Sequence, residues 1–183
     1  PSNPCLHYGV GLLYDRKLMR DKAIFHLKKA LSINFFDPLI LVELGRIYLE
    51  NEETQKALNL LESVESDPVL KYLAQYYLGI THLKLGHLEE AEKRLKSLTQ
   101  NHAEQYPKAF YHLANVYARQ KNPGLSHYYL AIYYEKKHEL KTARIQARKA
   151  TEQLTDPKDK KRAQELLKRV SKQLDEMELS KGQ

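Results

Sequence analysis

Histidine and cysteine are the residue types of this sequence that could hold a metal ion or act as nucleophiles. Its single cysteine, Cys5, excludes an internal disulfide and a four-cysteine zinc site. His138 precedes Glu139, but the following LKT lacks the second histidine with which a zinc-hydrolase helix holds its metal. His82 and His87 are five residues apart, which is not the spacing of a preformed chelate. We therefore predict no metal site and no cofactor.

Other catalytic motifs are also missing from the sequence. It has no glycine-rich phosphate-binding loop and no nucleophile elbow of the type G-x-S-x-G. The adjacent carboxylates Glu52-Glu53 and Glu89-Glu90 fall in predicted turns, where acids that open a helix favourably face its dipole. The sequence therefore predicts no catalytic residue, and we do not expect this chain to be an enzyme.

Three segments of the sequence share one pattern at a spacing of 34 residues. The pattern consists of glycine at Gly11, Gly45 and Gly79, alanine at Ala23, Ala57 and Ala91, leucine at Leu27, Leu61 and Leu95, and an aromatic slot at Tyr14, Tyr48 and His82. Such a period, with two helical patterns in each unit, is typical of stacked helical hairpins whose apolar faces cover each other. We call the helix with the glycine the first arm and the helix with the alanine the second arm.

Prolines indicate where the helices begin. Five of the seven prolines follow a side chain suited to capping, in Asn3-Pro4, Asp37-Pro38, Asp67-Pro68, Asn122-Pro123 and Asp156-Pro157. Helices are therefore expected to begin near residues 4, 38, 68, 123 and 157, with another at Pro107. The second arms are expected at about residues 20–34, 54–65 and 88–101.

The repeat pattern becomes irregular after residue 104. The helix at about 123–137 has two interpretations, because Ser126 and Leu130 suit a second arm whereas Ala131 and Tyr134 suit a first arm. We expect one helix to serve both roles. The predicted repeats are therefore 4–37, 38–67, 68–104, 105–137 and an overlapping 124–155, followed by a terminal helix at about 157–179 whose apolar stripe caps the array.

These features resemble the tetratricopeptide repeat, which has a small residue, an aromatic residue three positions later, and alanine with an apolar residue in the second helix. Residues 4–101 resemble three consecutive copies. The resemblance implies an all-α fold over residues 1–183: a single right-handed superhelix, or solenoid, of helix-turn-helix hairpins with a long C-terminal capping helix.

In the tetratricopeptide family, one face of the first arms lines a concave groove that binds peptides. Positions three before and one, four and five after the small residue share this face, because their spacing is i, i+4, i+7 and i+8. The candidate groove residues are Tyr8, Arg16, Arg46, Tyr76, Lys84, Tyr111, Asn115, Arg119, Tyr128 and Lys136. Tyrosines offer rigid contact area and cations pair with carboxylates, which suits a peptide client with acidic groups.

A narrower resemblance concerns two segments, NPCLHYGVGLLY and SHYYLAIYYEKKHELKTARIQARKA. They are similar to the repeat region that follows the catalytic domain in Ste24-like periplasmic zinc metallopeptidases. The resemblance implies a periplasmic, non-catalytic module that recruits unfolded or assembling outer-membrane proteins to a protease domain. The sequence lacks the catalytic motif of that family, so no catalytic residue can be assigned by it.

Two other interpretations remain open at this stage. The net charge is +7, and residues 141–183 contribute +5 of it through 12 Lys and Arg against 7 Asp and Glu, which would suit an RNA-binding helical repeat. The period of 34 and the groove residues favour a protein partner over nucleic acid. A stand-alone scaffold for assembly or secretion fits the same residues. We expect no small-molecule substrate and no membrane-spanning segment.

Overall fold

Ten α-helices and no β-strand occur in residues 3–181, the part of the chain that the computed structural model describes. They are α1 (Pro4–Arg16), α2 (Arg20–Ile33), α3 (Pro38–Glu50), α4 (Thr54–Glu62), α5 (Lys71–Leu85), α6 (Leu88–Asn101), α7 (Lys108–Arg119), α8 (Pro123–Lys136), α9 (Leu140–Gln153) and α10 (Pro157–Lys181). The predicted all-α fold class is therefore confirmed. None of these helices is long and apolar enough to cross a lipid bilayer.

Capping side chains explain why several helices begin at proline. Asn3 accepts a hydrogen bond from the Cys5 amide at 2.9 Å, and α1 begins at Pro4. Asp37 accepts hydrogen bonds from the amides of Leu39 and Ile40 at 3.0 and 3.2 Å, and α3 begins at Pro38, the residue after Asp37. Proline suits this position because the first helical amides have no partner within the helix. The predicted starts at residues 4, 38, 123 and 157 are confirmed.

Two helices begin later than their prolines predict. The Asp67 carboxylate accepts from the amides of Val69 and Leu70 at 2.9 and 2.7 Å, which holds residues 68–70 in a turn, so α5 begins at Lys71. Pro107 lies just outside α7, which begins at Lys108. The start predicted near residue 68 was wrong because a capping side chain stabilises an isolated turn as readily as a helix start, whereas the start predicted at Pro107 differs by only one residue.

Five hairpins close with the same turn, seven residues after the small residue of the preceding helix. The backbone φ is positive at Leu18 (58°), Glu52 (63°), Gly86 (82°), Lys121 (59°) and His138 (57°). The next amide donates at 2.9 Å to the carbonyl of the aromatic slot, as in Met19 to Tyr14, Glu53 to Tyr48, His87 to His82, Asn122 to Tyr117 and Glu139 to Tyr134. This left-handed C-terminal closure reverses the chain and makes the helices of each pair antiparallel.

The chain divides into two compact units, Pro1–Arg94 and Leu95–Gln183. In the first unit, α1 packs on α2, α3 on α4, and both second arms on the first arm that follows them. A Cβ atom on Gly11 would lie 2.8 Å from Cγ of Leu27, and one on Gly45 would lie 2.8 Å from Cγ of Leu61. The repeated glycine and leucine therefore mark the close crossing of the two arms.

In the second unit, α8 packs on both α7 and α9, and α9 packs on α10. The turns at both ends of α8, at Lys121 and His138, have the same left-handed closure. These contacts support the expected double role of α8, whereas the repeat boundaries stay a prediction. The terminal helix buries Leu166, Val170 and Leu174 on one stripe and reaches residue 181, two residues beyond its predicted end.

Candidate functional site

The candidate groove residues of the first unit lie on α1, α3 and α5, the three first arms. Arg46 of α3 is at the centre of a charge network: Nη2 donates to Asp15 at 2.6 Å, Nε to Glu43 at 2.9 Å and Nη1 to Glu50 at 2.9 Å. Burial opposes the charge on Arg46, but hydrogen bonds and charges of Asp15 and Glu43 outweigh it and raise the pKa of the guanidinium above its ordinary value. Arg46 is therefore not a free cation for a ligand.

This network changes the charge expected of the first unit's surface. Arg20 joins it through Glu50 at 3.5 Å, so two cations face three carboxylates and leave one negative charge. An acidic client would be repelled near Arg46. Arg16 is exposed at the end of α1 and remains available to a carboxylate.

The Lys84 side chain performs a structural role. Its Nζ donates to the carbonyl of Leu49 at 2.9 Å, one residue before the end of α3. A cation near the C-terminus of a helix stabilises its unpaired carbonyls and complements its dipole. Lys84 therefore ties α5 to α3 within the first unit, while the rest of its side chain stays exposed.

Tyr8 lines a small cavity at the N-terminal ends of α1 and α3. The cavity measures about 150 Å³ and is lined by Pro4, Cys5, Tyr8, Asn34, Asp37, Leu39 and Ile40. Burial, followed by the carboxylates of Glu43 and Asp37, raises the pKa of the Tyr8 hydroxyl, so the phenol is neutral at physiological pH. The cavity beside Tyr8 is large enough for one side chain.

Tyr76 is half-buried and packs edge-on against Tyr77, with ring centroids 5.2 Å apart.

In the second unit, the candidate residues of α7 differ in exposure. Tyr111 is 40% exposed and its ring lies 5.4 Å from that of Tyr133. Asn115 is half-buried and Arg119 is exposed. These three side chains occupy one face of α7, as their spacing predicts, and they offer an aromatic, an amide and a cationic group.

The face of α8 that carries Tyr128 and Lys136 is covered near Tyr128 and open near Lys136. Tyr128 is only 8% exposed, and the guanidinium of Arg162 in α10 lies 4.9 Å from the centre of its ring. Tyr128 is therefore not accessible to a client in this arrangement, because α10 covers it. Lys136, two turns further along α8, pairs with Glu104 at 2.5 Å between Nζ and Oε1.

Beyond Tyr128, a cavity that is open to solvent lies between α8, the start of α9 and α10. It measures about 460 Å³ and is lined by Ile132, Glu135, Lys136, His138, Leu140, Arg169, Gln173 and Glu176. Glu135 and Arg169 form a bidentate pair across it, with both hydrogen bonds at 2.7 Å. The cavity combines an apolar side, Ile132 and Leu140, with charged and amide groups.

Sequence reasoning missed the contribution of α10 to this site. It treated the terminal helix as a cap, yet Arg169, Gln173 and Glu176 line the cavity. Arg169 follows Glu135 by 34 residues, the period of the repeats, and the three α10 residues recur at i, i+4 and i+7. This spacing places the three residues on one face of α10, but it does not show that the face lines a cavity.

Two pairs of histidine side chains lie within hydrogen-bond distance of each other. Nδ1 of His7 lies 3.1 Å from Nδ1 of His26, and the corresponding atoms of His82 and His87 are 3.4 Å apart. Burial, with a smaller contribution from Arg94, lowers the pKa of His82, which favours its neutral form. Residues 3–181 contain no cluster of three or more His, Cys, Asp or Glu side chains that could hold a metal ion.

Comparisons with known proteins agree on the type of fold. Residues 73–104 match the model of a tetratricopeptide repeat family. A search of curated proteins found no match to the sequence. Among solved structures, PilW, described as a widely conserved type IV pilus biogenesis factor, is 20% identical with a TM-score of 0.70, covering 90% of this chain and 76% of PilW.

Two further structures are similar over most of their length. MamA from Desulfovibrio magneticus RS-1 is 19% identical with a TM-score of 0.67, covering 98% of this chain and 96% of MamA. YrrB, described as a TPR protein with an unusual peptide-binding site, is 22% identical with a TM-score of 0.65, covering 76% of this chain and 72% of YrrB. Residues 73–104 thus match a tetratricopeptide repeat, and the chain has a fold like that of a solved tetratricopeptide-repeat protein.

Proposed function

We propose that this chain is a polypeptide-binding module whose main client site is the cavity between α8 and α10. The cavity carries the proposal because Lys136, which is predicted to face a client, lines it together with Ile132 and Glu135 of the same helix and polar side chains of α10. Its volume of about 460 Å³ falls in the range of ordinary ligand pockets. Because Glu135 and Arg169 satisfy each other, a client need not supply a matching charge to enter.

Binding would combine one apolar contact with hydrogen bonds. Ile132 and Leu140 would take an apolar side chain of the client, and the amide of Gln173 would bond to its backbone. The Glu135–Arg169 pair would hold α10 beside α8 while the client is bound. A site with so few anchors supports micromolar affinity, about 8 kcal/mol.

The finer proposal concerns the client and the larger protein. By its resemblance to the repeat region of Ste24-like metallopeptidases, the chain would act in the periplasm and present unfolded outer-membrane protein segments to a protease domain. Segments of that kind alternate apolar and polar side chains, so they can place one apolar side chain in the cavity and leave polar neighbours outside. The matching probe is a labelled peptide with the alternating sequence of an outer-membrane β-strand.

A blocking variant tests the client site. Gln173→Trp should fill the cavity and weaken peptide binding at least tenfold, about 1.4 kcal/mol, as measured by fluorescence anisotropy. Ile145→Trp is the matched control, because Ile145 is 55% exposed on α9 and does not line the cavity. Equal affinity of both variants, with helicity unchanged by circular dichroism, would exclude the α8–α10 cavity as the client site.

A second candidate function is a stand-alone scaffold for the assembly of a secreted or surface structure. The likeness to PilW, described as a type IV pilus biogenesis factor, favours it, with a TM-score of 0.70. The two functions predict different clients. A recruiting module should prefer the unfolded form of an outer-membrane protein, whereas an assembly scaffold should bind a folded partner. Competition between unfolded and folded forms of the same labelled client distinguishes them.

A further inference from the structure

The outer face of α1 carries large apolar side chains that the other residues between positions 3 and 181 leave exposed. Leu6 is 63% exposed and Leu13 is 57% exposed, and Val10 lies half-buried between them. These residues are spaced by four and three positions, so they form one stripe along the helix. Contiguous exposed apolar side chains are common at interaction surfaces.

The same positions are buried in the other first arms of this unit. Ile40 and Ile47, 34 residues after Leu6 and Leu13, are 4% and 0% exposed in α3. The corresponding residues of α5, Ala74 and Thr81, are both 0% exposed. The stripe on α1 is therefore the face that a preceding second arm covers elsewhere in the unit.

The packing of α2 on α3 shows how such a face is covered. Ile24 and Leu27 of α2 belong to the same apolar core as Ile40 and Ile47. Arg20, the first residue of α2, lies 3.5 Å from Glu50, the last residue of α3. The covering helix thus runs antiparallel to the first arm and places its first residue beside the end of that arm.

We propose that the Leu6–Leu13 face of α1 binds an amphipathic α-helix of a partner polypeptide, in the manner in which α2 packs on α3. The position that corresponds to Glu50 is Arg16 in α1, and this arginine is exposed. The partner helix should therefore carry an acidic residue in its first turn. An acid at that place is also stabilised by the helix dipole. This face shares no residue with the proposed client cavity.

The probe is an acetylated peptide with the sequence of residues 20–34, in which Arg20 is replaced by glutamate. It reproduces the helix that covers the matching face of α3 and adds the acid that Arg16 requires. With the full chain we expect saturable binding by fluorescence anisotropy. Leu6→Asp with Leu13→Asp should weaken it at least tenfold, and both residues are exposed, so this variant should fold normally by circular dichroism.

A charge exchange tests the orientation of the bound helix. Arg16→Glu should weaken binding of the glutamate peptide about threefold or more and strengthen binding of the unmodified peptide, which keeps Arg20. Failure of the peptide to bind, or binding that Leu6→Asp with Leu13→Asp leaves unchanged, would overturn the proposal. It would also be overturned if the chain alone sediments as a dimer that this double variant converts to a monomer, which would assign the face to a second copy.

Discussion

Arg46 of α3 bonds to Asp15 of α1 at 2.6 Å and thereby joins two successive first arms through a largely buried charge pair. Only 17% of the Arg46 side chain and 15% of that of Asp15 are exposed. A buried pair of this kind adds little beyond what two apolar residues would contribute, but removing one member leaves a charge without compensation. Arg46, which was predicted to bind a client, therefore makes its contacts within the protein.

Loss of the Arg46 charge should destabilise the protein. Arg46→Met leaves Asp15, Glu43 and Glu50 close together without their shared cation, and we expect a loss of about 2–3 kcal/mol in the free energy of unfolding. Urea denaturation measures it. Arg16→Met is the matched control and should change this free energy by less than about 0.5 kcal/mol. Similar effects of the two variants would contradict a structural role for the network.

Two glycines of α1 should respond in opposite directions to alanine. Gly11→Ala places a Cβ atom 2.8 Å from the buried Leu27 side chain and should destabilise the protein by about 1–3 kcal/mol. Gly9→Ala has no atom within 4 Å and should stabilise it by about 0.5–1 kcal/mol, because alanine favours a helix. Thermal unfolding compares them. Two changes of the same sign would show that the arms do not cross at Gly11.

The repeated turn predicts a gain from glycine where a bulky residue has positive φ. Lys121→Gly should stabilise the protein by about 0.5 kcal/mol, because glycine adopts φ near 59° without the strain of a side chain. Gly86→Ala, at φ 82°, should destabilise it by about 1 kcal/mol. Chemical denaturation of the two variants against the parent chain tests the turn geometry. Destabilisation by Lys121→Gly would mean that contacts of the Lys121 side chain stabilise the fold by more than its positive φ costs.

His112 should make stability depend on pH. Burial, with a smaller contribution from Lys108, lowers its pKa from 6.5 to about 4. The unfolded chain therefore binds a proton between pH 6.5 and 4 that the folded chain does not, so stability is full above pH 6.5 and falls with decreasing pH in that range. The total loss should be about 2 kcal/mol for a partly buried imidazole.

Comparison with a non-titrating variant isolates this effect. The free energy of unfolding is measured between pH 7 and 4 for the parent chain and for His112→Gln, in which the carboxylates titrate equally. As pH falls, the free energy of unfolding should decrease more steeply for the parent chain than for His112→Gln, because the variant has no imidazole to protonate at this position. Parallel curves over the whole range would show that His112 takes up its proton equally in both states.

Much of the fold follows from local patterns. Capping residues before Pro4 and Pro38 predict the starts of their helices correctly, because an N-cap acts on amides two or three residues away. The 34-residue recurrence predicts the pairing of arms, since Gly11 meets Leu27 as Gly45 meets Leu61. The terminal helix was also predictable from its apolar stripe.

The state of the candidate site was not predictable in the same way. Spacing placed the candidate side chains on the corresponding face of each first-arm helix. In the structure, however, Arg46 is held by three carboxylates and Tyr128 is covered by Arg162. Their sequence spacing gives no sign of these partners.

The sequence by itself determined the helices, their pairing and the direction of each helix face, because these depend on contacts that recur at constant offsets along the chain. Only the tertiary structure decided which side chains on that face remain open and that Arg169 and Gln173 of α10 line the cavity. The reason is that a charge or an aromatic ring takes whichever partner the packing of distant helices brings within a few ångströms. Exposure at a site is therefore a property of the assembled helices.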